Sequence, residues 1–145
     1  MLTDILDSIS IKLNNTFGDD YTIYTDNDVV QNLKTPCFFI AILNSVRTQM
    51  LKSRYLHRYI FDIHYFPQNL GNNIEIYEIS DKLFFTLDII TLPNNDQLKG
   101  RIMSCKVIDS ILNFKVEYSL LLTERPVSNI IMEDLKIERM NILKC

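Results

Sequence analysis

Between Arg54 and Pro67 the chain alternates with a period of two. Tyr55, His57, Tyr59, Phe61, Ile63 and Tyr65 fall on one side, and Leu56, Arg58, Ile60, Asp62, His64 and Phe66 on the other. Aromatic and β-branched residues in this pattern predict a long strand with its first side on a core and its second side half wet. The run TPCFFIAILN from Thr35 to Asn44 is nearly continuously apolar. It predicts a strand covered on both faces, or packed on a helix and against a neighbouring subunit, and paired antiparallel with the first. The connection SVRTQMLKSR is too polar for a core and reads as a long hairpin tip or its flanks. Further on, Leu112, Phe114, Val116, Tyr118 and Leu120 alternate with Asn113, Lys115, Glu117 and Ser119, the pattern of a strand with one face wet. RIMSCKVID precedes it across Asp109-Ser110, so the two predict a hairpin.

Helical spacing occupies two other stretches. Leu2, Ile5, Leu6, Ile9, Leu13 and Phe17 make one stripe over residues 2 to 17, with Thr3 or Asp4 as cap and Gly18 as terminator. In IEIYEISDKLFFTLDII, Ile76, Ile79, Leu83, Leu87 and Ile90 make a second stripe, broadened by Tyr77 and Phe84, and Asn72 or Asn73 is the candidate cap. Tyr21 to Thr25 predicts a short strand that Asp26, Asn27 and Asp28 break. TLPNNDQLKG reads as a loop. These elements predict an α+β fold in the order α-β-β-β-α-β-β: an antiparallel or mixed sheet of about five strands with both helices packed on one face. The domain is expected to span residues 1–125. The remaining segment, 126–145, fits neither helical spacing nor alternation, and reads either as an arm that docks on a partner or as a short helix packed on its own domain.

A chain of 145 residues, 47% hydrophobic, with only three glycines and four prolines, can bury one core and has little linker. The N-terminal MLTDILDSISIKL lacks the layout of a signal peptide, and no apolar run approaches a membrane span, so a soluble protein made in a cytoplasm is expected. Cys37 and Cys105 are expected as small buried residues and Cys145 as a terminal thiol, without disulfides.

No catalytic motif is visible. His57 and His64 lie seven apart in one strand and so point to opposite faces, where they cannot share a metal. There is no Gly-rich phosphate loop, G-x-S-x-G or H-E-x-x-H, and the expectation is a protein that is not an enzyme and needs no cofactor or metal. The feature that stands out is charge. Arg47, Lys52, Arg54 and Arg58 occupy one hairpin with no acid among them, in a chain whose net charge is −3. They are the candidate interface residues, because arginine is favoured at protein surfaces that meet a partner. The alternative is a nucleic-acid platform in which arginines meet phosphates and Tyr55 and Tyr59 stack on bases. Asp19, Asp20, Asp26 and Asp28 form an opposite, acidic segment.

The helix at the start, the strands PCFFIAI and RYIFDIHYF, the helix ending LFFTLDII and the hairpin VIDSILNFKVEY occur in an order that resembles the tail terminator proteins of long-tailed phages. The likeness is to the version in Gram-positive hosts, including contractile phage-tail-like particles, and covers residues 1 to 122. One departure is Asp109-Ser110, where that family more often has Asp-Gly. The resemblance implies a subunit that assembles as a homo-oligomeric ring, usually of six, on the head-proximal end of the tail tube. There it would stop tube growth, meet the sheath protein if the tail contracts, and offer a surface to a neck or connector protein. DNA would only pass through the lumen, where the acidic segment would repel it, and no membrane is involved. The location implied is a virion tail or tail-like particle, assembled in the bacterial cytoplasm.

Overall fold

The two long strands of the first hairpin are β2 (Cys37–Gln49) and β3 (Arg54–Phe66), and they pair antiparallel over their whole length, as their apolar patterns predict. The computed structural model describes residues 2–26, 28, 32–69, 71, 73–124 and 137–141. On its other edge β3 pairs with β7 (Ile111–Glu124), which pairs in turn with β6 (Arg101–Ile108). The short β1 (Thr22–Thr25) lies parallel to β2, so the sheet is mixed, in the order β1-β2-β3-β7-β6. Helices α1 (Leu2–Phe17) and α2 (Asn73–Thr86) complete the predicted α+β order.

Both helices cover one face of this sheet. α1 buries Ile5, Ile9 and Leu13 and α2 buries Ile76, Ile79 and Leu83, against Phe38, Ile40, Phe61, Ile63, Phe114 and Val116 of the strands. This is the side of β3 that the alternation assigns to the core. Two bulges shift the register, one in β2 and one in β6. One lies between Ile42 and Asn44, where Leu43 is the extra residue of β2, and the other between Arg101 and Ser104 in β6, where Ile102 has φ 50°.

Four expectations need correction. The second helical stripe runs on to Ile90, but α2 ends at Thr86. The Leu87 amide still closes the last turn on Leu83 (2.9 Å), after which the Asp88 carbonyl accepts from Gly100 instead. Ile89, Ile90 and Thr91 are β-branched and form a short strand, β4 (Ile89–Thr91), paired with β5 (Gln97–Lys99). TLPNNDQLKG is therefore mostly a small hairpin rather than a loop, and Ile90, Leu92 and Leu98 bury its inner face. Tyr77 does not broaden the buried stripe; it is 54% exposed, one residue and about 100° round the helix from Ile76. Finally, the polar side of β7 is not uniformly wet. Glu117 and Ser119 are buried because β7 is an interior strand whose neighbours' side chains close over them.

Of the 126–145 segment, the described part is β8 (Ile137–Asn141), antiparallel to the end of β7; the rest of that expectation lies outside the described residues. Among the described residues no helix is long and apolar enough to cross a membrane.

The β6–β7 turn is as tight as Asp-Gly would make it. Ile108 pairs with Ile111, and Asp109 and Ser110 both take left-handed conformations, φ 52° and 63°, as a two-residue type I′ turn requires. An L residue other than glycine is strained there. Ser110→Gly is expected to raise the unfolding free energy by about 1 kcal/mol, read as a higher denaturant midpoint at unchanged slope.

Candidate interaction surfaces

β2 and β3 are each thirteen residues long, while β1 accompanies only Cys37 to Ile40 of β2. The distal half of the hairpin therefore has no partner strand on its β2 edge among the described residues. Asp26 finishes the covered part, its Oδ2 accepting the Ile42 amide at 3.0 Å, and Asp28 Oδ2 accepts the Thr25 amide at 2.7 Å. Two of the four acids in the acidic segment are thus tied to backbone at the β1–β2 connection. At the far end the Met50 amide donates to the Arg54 carbonyl (2.7 Å) and Lys52 turns the chain with φ 62°.

The four candidate interface residues are not equivalent. Arg58 reaches Glu117 across the β3–β7 pairing at 3.8 Å, and it is half-buried. The acid missing from its own hairpin is supplied by a strand more than fifty residues on, which sequence proximity could not reveal. Arg47 lies over the Tyr55 ring, 5.3 Å from its centroid, and its Nε donates to His57 Nδ1 at 3.4 Å. Lys52 and Arg54 are exposed, with no ion pair to any described residue. Among the described residues the hairpin thus presents two cations without an ion pair at its tip, a third held over its own aromatics, and a fourth tied to the neighbouring strand.

His57 is locked into the Arg47 cluster. It stacks on Tyr59 with centroids 4.3 Å apart, and its Nε2 lies 2.7 Å from Ser45 Oγ. Because Nδ1 accepts from Arg47, the proton sits on Nε2, which donates to Ser45; the neutral ring satisfies both contacts. Burial first, and then the Arg47 charge, hold its pKa below the ordinary 6.5. The unfolded chain therefore takes up this proton before the folded one does. The contribution of His57 to hairpin stability is fully present above about pH 6.5 and is lost as the pH falls through the lower folded value. Hydrogen exchange of the Ser45–Gln49 and Arg54–Tyr59 amides is expected to quicken between pH 7 and pH 5 after correction for intrinsic rates. His57→Gln should remove that excess.

These contacts also bear on the tyrosines. Tyr59 is buried, and Arg47 occupies one face of Tyr55, so the rings are engaged in the protein rather than presented to bases. His57 and His64 lie on opposite faces, as expected. His64 Nε2 is 3.5 Å from Asp62 Oδ2 on the face without helices. That open face carries two shallow grooves of about 340 and 380 Å³, which share Ser104 and Lys115. Among the described residues no group of His, Cys, Asp or Glu could hold a metal ion. Cys37 is buried, which pushes its thiol up to about 11, far from a reactive thiolate.

Sequence reasoning missed the exposed apolar groups. Leu51 at the hairpin tip and Phe85 on α2 are each 85% exposed, and Ile74 and Tyr77 share the outward face of α2. Helical spacing could have found the last three, since 74, 77, 81 and 85 fall on one line opposite the buried stripe.

The geometry is that of a one-sided α+β sheet with a charged hairpin turn at one end of it and uncovered apolar side chains. Among curated proteins no relative matches this sequence. A family model described as phage tail terminator protein matches residues 4–129, from the first turn of α1 to beyond the end of β7. Since that match covers all but the ends of the chain, the protein belongs to the phage tail terminator family.

Proposed function

We propose that this chain is a structural tail protein that forms a ring of six copies on the head-proximal end of a phage or phage-like tail tube. The ring ends tube growth, meets the last sheath ring where the tail is contractile, and presents a surface to a neck or connector protein. Its work is done by surfaces, without catalysis, cofactor or membrane, and DNA meets only its lumen. The observation that carries this reading is the family match over residues 4–129. The shape of the chain supports it. A closed ring needs two different patches per subunit that fit one another, and a hairpin turn carrying exposed cations is such a patch. Lys52 and Arg54, with Arg47 behind them, make the contacts to the next subunit or to tube or sheath. Arg58, paired with Glu117, ties the hairpin to β7. Asp19 and Asp20 face the lumen, where like charge keeps DNA from adhering; finding them on the outer wall of an assembled ring would remove that assignment.

Light scattering after size exclusion, with and without tube protein, tests the reading. A species of six subunits is expected, alone or once tubes are supplied. A strict monomer that ignores tubes would overturn it and direct attention to nucleic-acid binding by the hairpin, which strong salt dependence would reveal.

A further inference from the structure

α2 is apolar on two opposite faces. Its inner face packs on the sheet, yet Ile74, Tyr77 and Phe85 stand 74%, 54% and 85% exposed on the outer one, interspersed with the exposed acids Glu78 and Asp81 and a single cation, Lys82. A surface helix with one buried stripe has no need of a second, and an exposed patch of this kind marks a contact. The hairpin tip has the matching composition with the charge reversed. Met50 and Leu51 are 47% and 85% exposed there, between Arg47 on one side and Lys52 and Arg54 on the other.

The two patches of one copy do not cover each other, since both remain exposed. α2 is fixed at its start by Glu75 accepting from the Tyr65 hydroxyl (2.9 Å), and just past its end by the Leu87 carbonyl accepting from the Tyr118 hydroxyl (2.7 Å). Tyr118 pairs with Tyr59, and the tip begins five residues further along β3, about 16 Å away. The chain carries a basic apolar knob and an acidic apolar helix face at separate places.

We propose that the hairpin tip of one copy seats on the outer face of α2 of the next copy. This rests on the ring reading and names its interface. Leu51 and Met50 would lie among Ile74, Tyr77 and Phe85, while Lys52 and Arg54 meet Glu78 and Asp81. The outer stripe from Ile74 to Phe85 spans about 16 Å, room for the four-residue turn of the hairpin. Charge also decides which patches meet. Tip on tip would oppose three cations to three, and helix on helix would oppose acids to acids. The unlike pairing is the attractive one, and repeated head to tail it is heterologous, the kind that propagates into a ring.

A charge exchange tests it. K52E/R54E and E78K/D81K change exposed side chains only, so each protein should unfold as the wild type does. Each alone is expected to lower the ring fraction, measured by light scattering with tube protein present, at least tenfold. The protein carrying all four changes should recover to within about threefold of wild type, because the attraction is restored with its sign reversed. Two unaffected pair variants, or a quadruple variant no better than either, would overturn this interface while wild-type rings left the ring reading intact. Wild-type protein that stays monomeric with tubes would remove both together.

Discussion

Replacing Gly100 with alanine is expected to lower the unfolding free energy by about 2–4 kcal/mol, more than alanine at Gly18 or Gly71, where an added Cβ meets nothing within 4 Å. The residue joins β5 to β6 and is buried. Its amide donates to the Asp88 carbonyl at 2.6 Å, and a Cβ built on it would lie 2.6 Å from the Leu87 carbonyl oxygen and 3.1 Å from Val116 Cγ2. The nearest obstacle is backbone, which has no rotamer to escape into. That same oxygen accepts the Tyr118 hydroxyl at 2.7 Å in the middle of the core. Moving it therefore loosens the end of α2, the β4–β5 hairpin and the anchor of Tyr118 at once. Tyr118→Phe alone should cost about 1–2 kcal/mol, the value of a buried hydrogen bond whose acceptor is left behind. Since both substitutions act on one oxygen, the double variant should cost clearly less than their sum in a denaturant-unfolding cycle. Strict additivity, or a cost for Gly100→Ala below about 1 kcal/mol, would show that the Leu87 carbonyl is not the point where these elements meet.

The parts of the fold legible in the sequence are those where one periodicity had one solution. In α1, the neighbours Ile5 and Leu6 can share a face with Ile9 and Leu13 only in a helix, and Gly18 takes φ 90° to end it. In β3, Tyr59, Phe61, Ile63 and Tyr65 can share a face only in a strand. The end of α2 was ambiguous for a physical reason: Leu87 and Ile90 satisfy the helical stripe, yet in β4 Ile90 is buried just as fully. Spacing records that a residue faces the core, not which backbone carries it there; the β-branched trio Ile89, Ile90 and Thr91 was the signal that favoured a strand.

The candidate surface divides in the same way. The charges of Arg47, Lys52, Arg54 and Arg58 are visible locally, but their state depends on strands distant in sequence. Arg58 has a partner because the β3–β7 register places Glu117 opposite Ile60, one position along. Arg47 is held because the bulge at Leu43 shifts the register, so that Arg47 lies opposite His57 and Ser45 opposite Tyr59. Without that extra residue the odd-numbered positions of distal β2 would turn to the other face. A bulge has no reliable mark in a sequence as apolar as IAIL, and what it decides here is that Arg47 is held against His57 and Tyr55.

Phe38→Ala should be the most damaging core truncation, at about 3–5 kcal/mol. Phe38 is fully buried at the point where three elements converge: its ring lies 4.9 Å from Phe17 at the end of α1, 5.8 Å from Tyr21 before β1 and 5.1 Å from Tyr65 on β3. The lost ring leaves a cavity that these neighbours cannot all fill, because Tyr65 is tethered by its hydroxyl to Glu75. Against a total stability of roughly 5–15 kcal/mol for a domain of this kind, such a loss leaves a substantial unfolded population. The adjacent Phe39 is the control. It points to the face without helices, opposite His64, and is only half-buried, so Phe39→Ala should cost about 2 kcal/mol less than Phe38→Ala in the same denaturant measurement. Equal costs would mean that the outer face of β2 is covered as deeply as the inner one. A large difference, with exchange quickened first around Phe17 and Tyr21, would establish that the aromatic cluster at Phe38 is what fastens α1 to a sheet packed on one side only.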